Sequence, residues 1–287
     1  MERTNTENIS VDLGITRCGS VEFIWGMRTY VMGIVNVDPA SFSGDGLAGV
    51  EDAVEQAKRF VDEGADIIDI GGESTRPNAE PLPADEELRR VMPVIEKLAG
   101  ILPVPLSIDT YKSEVARRAV EVGACMINDV WELKRDPGLA RVAAEKTVPL
   151  IISQNQRDSS FHDFFPELID SLKKSVHVAL DAGVAWENII VDPGVGFGKT
   201  VDQNLEIVRR LNELKVLRRP ILLGTSRKSF IGYTLDLPVE ERLEGTAATV
   251  AIGIANGADI IRVHDVKEMV RIAQMSDAII RRKSTER

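Results

Sequence analysis

Cysteine is scarce: the 287 residues contain only Cys18 and Cys125, far apart in the chain. A disulfide framework needs more, so both are expected to be reduced thiols in a cytoplasmic setting, with Cys125 serving as a small core hydrophobe. Long apolar runs are missing too. No uncharged stretch of about 18 residues could span a bilayer, and the polar residues 1–20 show neither the apolar stretch nor the small-residue cleavage site of an export signal. Positive charge is in deficit, with 35 Lys plus Arg against 45 Asp plus Glu and a formal charge of -10. That balance argues against phosphate-backbone binding as the main work of the surface, so neither nucleic acid nor a membrane is expected as a partner. An anionic ligand would have to meet cations gathered locally against the overall field.

What is present suffices for a full core: 44% of residues are hydrophobic and 28% charged. Short apolar runs bounded by turn residues fall at 30–35, 67–70, 105–108, 126–128, 148–152, 188–191, 220–223 and 260–263. Helical spacing fills 50–63, 85–98, 113–122, 138–145, 165–182, 201–214, 246–256 and 266–280. Gly64, Gly123, Gly183 and Gly257 each stand where a helix must stop before the next strand. Eight strands apolar on both faces, alternating with eight helices, predict an α/β fold. The architecture is a single (β/α)8 TIM barrel over residues 22–287, behind a short and poorly ordered N-terminal extension of residues 1–21. A doubly wound sheet is the other arrangement the pattern allows.

In such a barrel the chemistry gathers where the strands end. The residues following the eight runs are Asn36; Asp69 with Glu73, Thr75 and Arg76; Asp109; Asn128 and Asp129; Gln154 and Asn155; Asp192; Ser226, Arg227 and Lys228; and Arg262 with His264. Singly, each has a plain structural role open to it: Asp109 a helix cap, Asn128-Asp129 or Asp192-Pro193-Gly194 a turn. Jointly they form a polar rim that a purely structural barrel does not need. The carboxylates and amides suit the edge of a planar heterocycle, and Lys228 and Arg262 supply cations. With Asn36 as a metal or anion contact and Arg76 and His264 nearby, a phosphorylated heterocycle is the expected ligand. Two long connections, 38–49 and 71–83, are expected to belong to the site or to close over it. His162 and His177 are expected on the surface, and Phe164-Phe165 as a hydrophobic anchor.

The phrases Met32-Gly33-Ile34-Val35-Asn36-Val37, Gly71-Gly72-Glu73-Ser74-Thr75-Arg76-Pro77 and Ser107-Ile108-Asp109-Thr110 continue with Ile127-Asn128-Asp129 and Asp192-Pro193-Gly194-Val195-Gly196-Phe197-Gly198-Lys199. Gly224-Thr225-Ser226-Arg227-Lys228-Ser229 and Arg262-Val263-His264-Asp265 complete the series. In this order they resemble the dihydropteroate synthase family. The resemblance implies a transferase of folate synthesis that joins 6-hydroxymethyl-7,8-dihydropterin pyrophosphate to 4-aminobenzoate. It implies a pterin pocket with Asp109, Asn128 and Asp192 on the ring edge, Lys228 on the carbonyl side, Arg262 stacked on the face and Phe197 as a wall. It also implies Mg2+ at Asn36, pyrophosphate contacts from Arg262 and His264, and a 4-aminobenzoate site at Thr75, Lys228 and Ser229, with Arg76 among the substrate contacts. Asn36, Lys228, Arg262 and His264 would carry catalysis, and a homodimer is implied, for which the helix at 266–280 offers an apolar face.

The sequence departs from that family in two places. The first loop carries Asp38 and Ala40 where Thr and Asp are usual, with a later Asp displaced to Asp45; after the fifth strand the usual Met-His is Ser153-Gln154, with Ser153 expected to be solvated. Ordinary divergence accounts for both, and a sulfonamide-insensitive enzyme is the sharper alternative. A methyltetrahydrofolate-type corrinoid methyltransferase and a non-catalytic pterin-binding protein are the rival functions.

Overall fold

The computed structural model describes residues 13–37, 49–75, 80–158 and 161–281. Its first element is one the strand pattern did not predict. Strands β1 (Ile15–Cys18) and β2 (Val21–Ile24) pair antiparallel from Ile15 with Ile24 to Cys18 with Val21. This leaves a two-residue turn with Gly19 at φ +59°, the left-handed conformation such hairpins require. The expected boundary between residues 21 and 22 therefore falls inside a hairpin, and residues 13–20 belong to the fold; residues 1–12 lie outside the described residues. Each strand has only one buried face and four residues, too short for alternation to stand out in the sequence.

The hairpin stoppers one end of a barrel built from β3 (Tyr30–Asn36), β4 (Ile67–Gly71), β5 (Leu106–Asp109), β6 (Met126–Asp129), β7 (Leu150–Ser153), β8 (Ile189–Asp192), β9 (Leu222–Leu223) and β10 (Ile260–Val263). All pair in parallel in the order β8-β7-β6-β5-β4-β3-β10-β9, and a parallel bridge between Val191 and Ile221 closes the ring. This is the predicted TIM barrel, with every expected strand found within two residues of its place.

Helices α1 (Val50–Asp62), α2 (Ala84–Ala99), α3 (Ser113–Glu121), α4 (Gly138–Lys146), α5 (Phe164–Asp181), α6 (Val201–Arg210), α7 (Ser229–Leu235), α8 (Leu243–Ala255) and α9 (Val266–Ile280) occupy the crossovers. Helix α7 is an addition to the eight expected, its seven residues too few to show helical periodicity.

Side chains alternate along each strand, so the barrel sorts residues by parity. Val31, Ile68, Ile108, Ile127, Ile152, Val191, Leu223 and Ile261 point outward into the large core beneath the helices. Met32, Ile67, Met126, Ile151, Ile190, Leu222 and Ile260 point inward and pack on Phe23, Trp25 and Tyr30 around the hairpin. Phe23 stacks on Trp25 with centroids 5.6 Å apart and meets Tyr30 edge-on at 4.9 Å. Cys18 and Cys125 join this layer as free thiols, sulfur to sulfur 3.2 Å apart.

Two residues further along, the inward positions become Asp69, Asn128, Ser153, Asp192 and Arg262. The interior thus changes from an apolar plug to a polar layer within one strand repeat. Polar groups placed there must find partners or a ligand.

Candidate active site

Asp69 is completely buried at the centre of that layer. Its Oδ2 accepts from Arg262 Nε at 2.7 Å and from Asn128 Nδ2 at 3.0 Å, while Oδ1 has no protein partner. Arg262 also donates through Nη2 to Asp109 Oδ2 at 2.6 Å. One guanidinium therefore serves two carboxylates. Burial, together with the charge of Asp69, pushes Asp109 up to about 7 against the pull of Arg262. Asn128 Oδ1 and Ser107 Oγ are likewise buried without a partner. Three polar atoms in one buried layer are thus left without a protein partner.

Across the barrel, Asp192 accepts from Ser153 Oγ on one oxygen and from the Gly194 backbone N–H on the other, both at 2.7 Å. The expected solvated serine is instead fully buried, because its strand-end position turns it inward beside Asp192. The turn that follows requires glycine at 194: its φ is +68°, and a Cβ there would sit 1.8 Å from the Gln154 carbonyl oxygen. Lys199 stitches this turn down, donating to the Gln154 side chain at 2.5 Å and to the Gly194 carbonyl at 2.8 Å; burial lowers it to about 7. Lys228 donates to the Val195 carbonyl and lies 4.7 Å from the centroid of the Phe197 ring. Burial brings it down to about 8.

At the rim, Asn36, Gly71 and Asp109 share one register row. A Cβ on Gly71 would stand 3.8 Å from Asn36 Oδ1 and 3.5 Å from Asp109 Cβ, so the glycine keeps open the space between them. His264 meets Ser226 Oγ through both its backbone N–H, at 3.1 Å, and Nδ1, at 2.9 Å.

Asn36, Asp109, Asn128, Asp192, Phe197, Lys228, Arg262 and His264 are therefore all carried to one end of the barrel. Ser229 opens α7 at the exposed edge of that end. Thr75 is joined to it by its carbonyl, which accepts from Arg157. Arg76 and the changed loop positions Asp38, Ala40 and Asp45 lie outside the described residues.

Two members of the polar rim serve the scaffold. Arg227 pairs with Asp265, tying the loop after β9 to the start of α9. Asp129 points outward and caps a turn through the N–H groups of Trp131 and Leu133. Three residues that sequence reasoning left without a part take one: Asp69 as the hub, Ser153 beside Asp192, and Arg157, whose guanidinium lies over the Phe197 ring at 5.2 Å. For the first two the inward parity of the strand was the available signal; for Arg157, on a loop, there was none.

The family model described as pterin binding enzyme matches residues 32–264. A dihydropteroate synthase of Bacillus subtilis is 52% identical over 254 residues, covering 88% of this chain and 89% of that protein. One from Clostridium beijerinckii is 50% identical over 268 residues, covering 93% of this chain and all of that protein. The crystal structure of a dihydropteroate synthase from Clostridium difficile, determined in the presence of pteroic acid, superposes with a TM-score of 0.87 at 51% identity, covering 91% of this chain and all of that one. With this match over most of its length, the chain belongs to the family of pterin-binding enzymes, among its dihydropteroate synthases.

Proposed function

We propose that the buried polar layer seats 6-hydroxymethyl-7,8-dihydropterin pyrophosphate by its ring edge and that its methylene carbon exchanges the bond to diphosphate for one to the amine of 4-aminobenzoate, which gives up a proton. The observation that carries this reading is the hub of Asp69, Arg262, Asp109 and Asn128, in whose layer Asp69 Oδ1, Asn128 Oδ1 and Ser107 Oγ are buried without a protein partner. Asp192 and Asn128 would take the N–H donors of the pyrimidine edge, and Asp109 those on the neighbouring side. Lys228 would donate to the ring carbonyl, Phe197 would wall the pocket, and Arg262 would offer its planar guanidinium to the ring face. Thr75, Ser229 and Lys228 are assigned to the arylamine side, with Arg76 among the substrate contacts.

Catalysis then consists of stabilising charge on a diphosphate that departs early, to which Arg262 and His264 are assigned, and of positioning the amine to attack the methylene carbon, whose positive charge spreads into the pterin. No covalent bond to the protein is required. Among the described residues no group of three or more His, Cys, Asp or Glu could enclose a metal ion. The amide oxygen of Asn36, beside the space that Gly71 keeps open, fits Mg2+ held by one protein oxygen and otherwise by water and phosphate. Bound there, Mg2+ would neutralise charge on the leaving group.

Exposed apolar side chains on α7, α8 and α9, Tyr233, Ile252, Met275 and Ile279, suit a homodimer interface. Among the described residues no helix is long and apolar enough to cross a membrane. The scarcity of cysteine supports a cytoplasmic location. Insensitivity to sulfonamides would follow from the changed first loop; inhibition by sulfamethoxazole as potent as for a sensitive homologue overturns it.

The direct test follows diphosphate release from 6-hydroxymethyl-7,8-dihydropterin pyrophosphate with Mg2+, with and without 4-aminobenzoate. Release that depends on the arylamine is expected. Methyl transfer from methyltetrahydrofolate in a parallel assay, or pterin binding without turnover, would overturn the synthase reading.

A further inference from the structure

We infer that Ser153 is a positioning residue for the pterin, acting by fixing the Asp192 carboxylate through a buried hydrogen bond. The inference rests on the pterin seat proposed above. Ser153 ends β7 in register with Asp192 at the end of β8. Both side chains point inward, one repeat beyond Ile151 and Ile190, and are 0% and 5% exposed.

Ser153 Oγ donates to Asp192 Oδ2, and the Gly194 N–H donates to Oδ1, each at 2.7 Å. A carboxylate oxygen has about two acceptor positions. One donor on each oxygen therefore fixes the plane of the carboxylate and still leaves one position on each for a ligand. Two such positions side by side match a ring N–H and its neighbouring exocyclic amine.

Without the serine the carboxylate would be held on one side only. It sits within the field of Lys199, Lys228 and Arg262, each of which interacts electrostatically with it. A torsion pinned by a neutral hydroxyl and a backbone N–H keeps the acceptor pair in one orientation within the barrel interior, into which Asp69, Ser107 and Asn128 also point. The hydroxyl supplies this orientation without adding a charge that would compete with the ligand for Asp192.

Ser153→Ala, Ser153→Cys, Asp192→Asn and the double variant Ser153→Ala/Asp192→Asn test this. The readouts are calorimetric binding of 6-hydroxymethyl-7,8-dihydropterin and steady-state KM values for both substrates. Loss of a hydrogen bond to a charged group predicts pterin affinity weakened about tenfold to a hundredfold in Ser153→Ala, with the KM for 4-aminobenzoate retained. Ser153→Cys, near in shape but a weak donor, is expected to behave like Ser153→Ala. In the Asp192→Asn background, removing the serine oxygen has no further effect on binding, because the two groups act as one unit.

Unchanged pterin affinity in Ser153→Ala, where Asp192→Asn weakens it, overturns the inference and leaves the serine as filler. A loss shared equally by both substrates, or one that adds fully to Asp192→Asn, overturns it as well. If Asp192→Asn itself leaves pterin binding intact, the pterin seat is wrong rather than the part given to Ser153 within it.

Discussion

Replacing Asp109 by Asn should make the protein more stable at alkaline pH while weakening it as a binder. In the native layer the single guanidinium of Arg262 is shared by Asp69 and Asp109, both buried. Burial raises Asp109 from its ordinary 3.8 to about 7. A carboxyl raised on folding contributes stability that is fully present below the unfolded value and is lost as pH climbs through the folded one. A rise from 3.8 to about 7 corresponds to about 4 kcal/mol. At low pH the protonated Asp109 and an Asn are near isosteres, so the two proteins should unfold alike. By about pH 8 the variant should be ahead by up to about 4 kcal/mol, because it buries no second carboxylate charge beside Asp69. Asp129, also raised to about 7 by burial, is common to both proteins and cancels in the difference. Urea unfolding followed by tryptophan fluorescence across this range gives the comparison, and pterin affinity of the same variant should fall. A stability difference that does not change with pH would refute the burial-driven rise of Asp109.

Three further outcomes are expected. Lys228, brought down to about 8 by burial, is a cation below that pH and loses its charge above it; kcat/KM for the pterin substrate should therefore fall as pH passes about 8, and Lys228→Arg, which stays charged, should shift that limb upward. Phe23→Ala removes a fully buried ring between Trp25 and Tyr30 and should cost about 3–5 kcal/mol in urea unfolding; a loss below about 1 kcal/mol would show that the hairpin is not an integral plug. Gly194→Ala places a Cβ against the Gln154 carbonyl at a left-handed φ, which should destabilise by about 2 kcal/mol or more and weaken pterin binding through displaced Asp192; a variant indistinguishable from wild type in both measurements would contradict that geometry.

The barrel was legible because its strands are apolar on both faces and its helices stop at glycines such as Gly64 and Gly257, two independent signals that agree. The polar rim was legible for the same reason: a carboxylate at the end of an otherwise apolar strand, as at Asp192, stands out. Partnership was not legible. Whether Arg262 reaches Asp69, Asp109 or both depends on the curvature of the closed sheet, which brings residues 193 positions apart to 2.7 Å. Nor did the sequence distinguish Asp129, which points outward to cap a turn, from Asn128 beside it, which points in. A one-residue difference in parity separates scaffold from site. The hairpin escaped notice because Ile15 and Ile24 are exposed while Thr16, Cys18 and Phe23, with Val21 half-buried beside them, face the core, a pattern that a polar leader also shows.

The central claim is that this barrel forms a carbon–nitrogen bond between a pterin methylene and an arylamine. It is tested most directly by incubating the protein with the pterin pyrophosphate, Mg2+ and 15N-labelled 4-aminobenzoate and measuring the mass of what is formed. The account predicts 7,8-dihydropteroate carrying the label, with one diphosphate released for each molecule made. Diphosphate released with only the pterin alcohol beside it, or labelled arylamine recovered unchanged, would contradict it.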